Sequence, residues 1–170
     1  MDSCVLAIHK ELYFNKTIAF YIQSILIFME TPIIMYKKVH PDAKPPVYST
    51  NGAAACDFYA NEDVTITPRE TKKIKTGIAL EIPKEYFLKM EGRSSFSAKG
   101  IVKAGGVIDS DYRGEIHIIL HNMTQEPFKI AKGERIAQGI VMNIHHANFI
   151  EIDELSKTAR GEGGFGSTGK

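Results

Sequence analysis

GVIDSDYRGEIHIILHN, residues 106–122, joins an acidic turn to an alternating run. Within 115–122 the apolar Ile116, Ile118 and Leu120 recur at period two, the mark of a strand with one buried face. Just upstream, Val107 and Ile108 form a second apolar run, and Asp109 to Gly114 supply turn chemistry between the two. The same pattern continues outward. Ile74, Thr76, Ile78, Leu80 and Ile82 share a face while Lys73 and Lys75 point away, and Val64 to Thr67 alternates ahead of the turn Pro68-Arg69-Glu70. Tyr86 to Met90 is a short run closed by Gly92, and Ile136, Ile140 and Met142 follow the turn at Lys132-Gly133. Turn signals recur about every ten residues, and no long helix is predicted beyond residue 35. The expected fold is all-β, a jelly-roll-like sandwich or barrel of two sheets.

At 170 residues the chain can bury one core without disulfides or a structural metal. Its net charge of +1 provides no basic field for nucleic acid, so any phosphate recognition must be local. Cys4 and Cys56 stand far apart without companion ligands and read as free thiols in a reducing compartment, cytoplasmic or nuclear.

Residues 1–34 differ from the rest. Thr17 to Met29 is 13 residues without a charge, short of the roughly 20 that cross a bilayer, and no signal-peptide cleavage pattern follows. Three readings stand: a helix packed on the domain, an interfacial membrane anchor (the lowest of the three), or upstream sequence not made in the mature protein. Met35 is then the start of a self-sufficient domain. The expected organisation is an N-terminal extension over 1–34, a β domain over 35–159, and a flexible glycine-rich arm over 160–170.

Five stretches carry candidate chemistry. In GAAACDF, 52–58, Asp57 reads most simply as a solvated carboxylate at a strand start; the functional reading is a carboxylate orienting magnesium through water. In GRSSFSAKG, 92–100, Arg93 is a fork for phosphate and Ser94 and Ser95 offer hydroxyl and backbone donors, or the stretch is a polar loop. In the acidic turn, Asp109 is expected at the end of a buried strand, where its basicity is tuned, and Asp111 is expected to pair with Arg113. A base and the flat Tyr112 ring at fixed separation would form one wall of a site for a sugar-bearing substrate. In KGERIAQGIV, 132–141, Glu134 and Arg135 read as a surface pair, while Gln138 is an amide among apolar neighbours that wants partners.

The last stretch is RGEGGFGSTG, 160–169. Its glycines leave too little side chain for a core, whereas Arg160 suits phosphate and Phe165 can stack on a base. Ordered over a ligand it would act as a lid; a plain linker end is the alternative. The histidines do not suggest a metal site, since His117 and His121 lie about 13 Å apart at strand rise.

In this order the five stretches resemble the motifs of the homotrimeric dUTPases, the dUTP nucleotidohydrolases, over residues 36–170. The resemblance implies a jelly-roll homotrimer with three shared sites. The first, second and fourth motifs come from one subunit, the third from a neighbour, and the arm from the remaining one. It implies magnesium-dependent conversion of dUTP to dUMP and diphosphate, with water attacking the α-phosphorus. Asp109 then resembles the base that positions the water, Tyr112 the ring under the deoxyribose that rejects a 2′-hydroxyl, and Asp57 the carboxylate holding the magnesium hydration shell. Arg93, Ser94, Ser95 and Gln138 match phosphate contacts. Arg160, Gly166, Ser167 and Thr168 match the arm's phosphate clamp, and Phe165 the ring that stacks on uracil. Backbone groups of a hairpin at Gly105 and Gly106 would read the base. The chain departs from the family pattern at Ala55 and Cys56, at Ser95 in place of glycine, and at Gly139, which is expected to loosen its strand. A dCTP deaminase shares the fold and the Arg-Ser-Ser loop but lacks the Ile-Asp-Ser-Asp-Tyr turn and the arm. A trimeric dUTP-binding regulatory module is the rival from outside enzymology.

Overall fold

The computed structural model describes residues 31–164. The N-terminal extension up to residue 30, with its apolar run and Cys4, lies outside them, as do Phe165, Gly166, Ser167 and Thr168. Ten strands appear among the described residues. They are β1 (Met35–Lys38), β2 (Cys56–Tyr59), β3 (Val64–Ile66), β4 (Thr71–Glu81), β5 (Tyr86–Gly92), β6 (Ile101–Ala104), β7 (Val107–Ile108), β8 (Glu115–Asn122), β9 (Phe128–Ile130) and β10 (Arg135–Asn143). One helical turn, α1 (Ser94–Ser97), follows β5. The strands form two four-stranded sheets, ordered β1-β4-β8-β6 and β2-β10-β5-β7, with β3 and β9 as a separate pair. Every pairing is antiparallel. The expected all-β sandwich is the observed one.

The core lies between the sheets. Ile74, Ile116, Ile118 and Leu120 project from the first sheet, and Phe58, Leu88 and Met90 from the second, all with at most 1% of their surface exposed. Each such side chain contributes about 1.5–3 kcal/mol by burial. β8 alternates without a break in burial: Ile116, Ile118, Leu120 and Asn122 are buried, and the opposite face, Ile119 included, is half-covered. In β4 the pairing slips between Lys75↔His117 and Ala79↔Glu115, so β4 carries two extra residues there. An even insertion preserves the parity of the pleat, which is why Ile74, Thr76, Ile78 and Leu80 stay buried on one period. Gly77, at φ +69°, absorbs the irregularity, and its freed N–H donates to the Glu115 carboxylate at 2.8 Å.

Buried polar groups are satisfied. Thr76 Oγ1 donates to the Ile116 carbonyl at 2.7 Å. Asn122, fully buried, donates to the carbonyls of Ile66 (3.0 Å) and Glu126 (2.7 Å) and accepts from the Thr124 N–H and hydroxyl. The turn expected at 68–70 is closed by Glu70, whose carboxylate accepts from the N–H and hydroxyl of Thr67.

Two expectations are corrected. The runs flanking Gly105-Gly106 and the acidic turn are not arms of hairpins. β6 and β8 belong to the first sheet and β7 pairs with β5 in the second, so the chain crosses between sheets on both sides of β7. The second concerns Gly139, which does not loosen its strand. It faces Cys56 directly in the β10–β2 register, Cys56 Sγ lies 3.4 Å from its carbonyl, and a Cβ there would stand 2.9 Å from Phe58 and 3.0 Å from Leu88. The two departures are thus cross-strand partners, two small residues beneath two large ones. Burial pushes the Cys56 thiol up from its ordinary pKa. Gly139→Leu is therefore expected to lower stability by about 1–3 kcal/mol through overpacking, read as a lower denaturation midpoint at unchanged slope. An unchanged midpoint would contradict the close packing.

No helix among the described residues is long and apolar enough to cross a membrane. After β10 the described chain, 144–164, holds neither helix nor strand. It is largely exposed, with Phe149 98%, Ile150 81% and Leu155 84% open.

Candidate active site

Asp57 sits in β2, directly opposite Gln138 in the central strand β10. Gln138 also faces Glu91 of β5, and β5 runs straight into Arg93 and α1. Three of the five stretches therefore converge on one end of the second sheet. Asp57 is 9% exposed; its Oδ2 accepts from Ser49 Oγ at 2.6 Å and from Arg135 Nη1 at 3.2 Å. Arg93 Nη1 donates to the Arg135 carbonyl at 2.9 Å, and Gln138 Nε2 donates to the Gly92 carbonyl at 3.3 Å. The amide of Gln138 thus takes a backbone carbonyl as a partner, where its motif suggests a phosphate.

Sequence reasoning missed Arg135. It does not pair with Glu134, whose carboxylate accepts from the Ala131 N–H instead. A bulge sets two residues of β10 against one of β2, since Arg135 faces Tyr59 and Ala137 faces Phe58. The extra residue turns Arg135 onto the face that Asp57 and Gln138 share, a spacing of three that a regular strand would send to opposite faces. No local signal marks that bulge. The result is two guanidinium groups, Arg93 and Arg135, beside one buried carboxylate and an amide, a surplus of planar donors suited to phosphate oxygens.

α1 begins at Ser94 directly after the extended Arg93. Its Phe96 plugs into the core edge-on to Phe128, ring centroids 5.2 Å apart, and this anchor leaves Ser94 and Ser95 exposed beside Arg93.

The other candidates lie elsewhere. β7 is the far edge of the second sheet, three strand spacings from β2, or about 14 Å. Asp109 follows β7 and is exposed; the strand before it is only half-buried, Ile108 packing against the core while Val107 is 64% exposed. That corrects the expected buried strand end: an edge strand of two residues has no neighbour on its outer side. Tyr112 is 44% exposed, its N–H donating to the Asp109 carbonyl at 3.2 Å and its hydroxyl to the Glu115 carbonyl at 3.0 Å. Arg113 donates to the carbonyls of Ser110 (2.6 Å) and Tyr112 (3.2 Å) and not to Asp111, another correction. Arg160 donates to the Gly163 carbonyl within its own turn, at 2.8 Å.

Gly105 and Gly106 make the crossing from β6 to β7 with φ of +64° and +114°, a conformation that favours glycine. They are tied to β5 by the Met90 N–H, which donates to the Gly106 carbonyl at 2.7 Å. A cavity of about 150 Å³ opens there, lined by Met90, Lys103, Gly106, Ile108 and His117 among others.

Among the described residues no group of three His, Cys, Asp or Glu side chains could cage a metal ion. Asp57 is a lone carboxylate with one oxygen already engaged. Such a donor fits a hard cation that keeps much of its water and takes its inner ligands from a bound polyphosphate.

The family model for dUTPase matches residues 42–169. A deoxyuridine 5'-triphosphate nucleotidohydrolase of Helicobacter pylori is 42% identical over 139 residues, 80% of this chain and 96% of that protein. One of Nautilia profundicola is 47% identical over 137 residues, 79% and 96% of the two chains. Among solved structures, the dUTPase of Staphylococcus bacteriophage 80alpha with dUPNHPP matches at a TM-score of 0.77 and 28% identity, covering 82% of this chain and 100% of the phage chain. A dUTPase of phage phi11 of S. aureus, described with a coordinated structural Mg(II) ion, shares the fold at a TM-score of 0.68 and 22% identity, covering 74% and 99%.

Proposed function

The chain belongs to the dUTPase family and hydrolyses dUTP to dUMP and diphosphate, and from that premise we propose that it works as a homotrimer whose three sites each draw on separate subunits. The observation that carries this reading is the split of the candidate residues. Asp57, Arg93 and Gln138 gather at one end of the second sheet, whereas Asp109 and Tyr112 follow its far edge. A single copy does not bring base and phosphate donors together; a neighbouring copy can. The exposed Phe149, Ile150 and Leu155 supply apolar surface for such contacts.

In the assembled site Arg93, Ser94, Ser95 and Gln138 bind the phosphate chain. Asp109 of a neighbouring copy accepts a proton from the water that attacks the α-phosphorus, and diphosphate leaves with the negative charge that the guanidinium groups stabilise. Tyr112 packs under the deoxyribose, the backbone at Gly105 and Gly106 reads uracil, and the arm closes with Arg160, Phe165, Gly166, Ser167 and Thr168 over base and phosphates. Family members generally depend on a divalent metal. Magnesium suits that role: Asp57 would hold it through water, and when bound it would spread the phosphate charge and fix the triphosphate conformation.

Diphosphate release from dUTP, UTP, dTTP and dCTP tests the assignment. Wild type should favour dUTP over UTP by at least about a hundredfold, and Tyr112→Ala should shrink that ratio by about tenfold or more. Equal turnover of UTP and dUTP by the wild type would refute the role given to Tyr112.

A further inference from the structure

An ammonium group lies in the cavity at the β6–β7 crossing. Lys103 Nζ donates to the Met90 carbonyl at 2.6 Å and to the Gly105 carbonyl at 2.6 Å. It lies close over Gly106: a Cβ on that glycine would stand 2.8 Å from Nζ. An ammonium has three protons, and among the described residues only these two carbonyls receive one. Around it the cavity wall is mainly apolar, formed by Met90, Val107, Ile108, Ile118 and Ile119. The polar exception, His117, turns its Nδ1 to the Glu115 carbonyl at 2.9 Å. At about 150 Å³ the cavity is on the scale of a single ring and too small for a whole nucleotide.

We propose that Lys103 is a specificity-determining residue, its third proton offered to the 4-carbonyl oxygen of the base. The proposal rests on the reading that uracil sits at Gly105-Gly106. Its physical basis is donor counting. Lys103 presents only donors, and uracil carries an acceptor at its 4-position where cytosine carries an amino group. Against this mainly apolar wall a donor facing a donor forms no hydrogen bond, a penalty against dCTP that dUTP does not meet. Thymine keeps the 4-carbonyl, so Lys103 does not separate it from uracil; that task falls to the fit around the ring's 5-position.

The test compares kcat/KM for dUTP, dCTP and dTTP in the full-length chain and its Lys103→Met variant, which keeps the stem and removes the donors. The dUTP value should fall about ten- to a hundredfold, with dTTP falling in proportion. The dCTP value should hold, so the dUTP:dCTP ratio contracts by about tenfold or more. Lys103→Arg, which restores donors, should recover part of that ratio. A proportional loss for all three nucleotides would reduce Lys103 to a clamp on the crossing and overturn the proposal, as would unchanged constants. The base position is read separately from the backbone amide shifts of Gly105 and Gly106 on adding dUMP. Shifts there with a proportional loss sink the Lys103 role alone; no shifts there sink both.

Discussion

Asp109→Asn is expected to bind dUTP with an affinity near that of the wild type while turnover drops by about a hundred- to ten-thousandfold. The amide matches the carboxylate in size and still accepts a hydrogen bond from a sugar hydroxyl, so binding survives. It cannot take up the proton that an attacking water must lose, so the chemical step does not. Asp109 is exposed on a turn past an edge strand, and the substitution removes no core contact, which keeps a folding defect from mimicking the effect. Calorimetric binding of a non-hydrolysable dUTP analogue gives the affinity, and single-turnover release of diphosphate gives the rate. A variant that hydrolyses dUTP at the wild-type rate would take Asp109 out of the mechanism.

Ending the chain at Ala159 should lower kcat/KM by about a thousandfold without lowering the denaturation midpoint. The described part of the arm contributes nothing to the core: residues 144–164, which include it, carry neither helix nor strand, and Arg160 bonds within its own turn. Combining this truncation with Asp109→Asn tests the shared site directly. Each variant alone should be nearly inactive. Unfolded, mixed in equal amounts and refolded together, they should regain about a quarter of the wild-type activity, because half the positions supply an intact base and half an intact arm, independently. Base and arm from one chain would leave the mixture as inactive as its components.

Much of the fold was legible because side-chain alternation is a local signal. Ile116, Ile118 and Leu120 on β8 are buried as their spacing predicts. β4 follows its pattern only because its irregularity is even. β10 was harder. Its bulge places Ile136 and Ala137 in the core side by side and leaves Met142 40% exposed, against the period read from Ile136, Ile140 and Met142. The same bulge converts Arg135 from an apparent surface residue into the partner of Asp57. Asp111 and Arg113 failed to pair because nearby carbonyls in a tight turn satisfy the guanidinium first.

Amino-acid order by itself determined the strand class, the five functional stretches and the chemical types within them, since periodicity and residue identity are properties of a few neighbouring positions. Tertiary structure alone decided which strands meet: Cys56 against Gly139, Asp57 against Gln138, and β7 in the opposite sheet from β6 and β8. Pairing partners are chosen by contacts between distant segments, and a single bulge or crossing resets which side chains share a face. That choice, invisible in any short window, separates Asp109 from Asp57 within one copy.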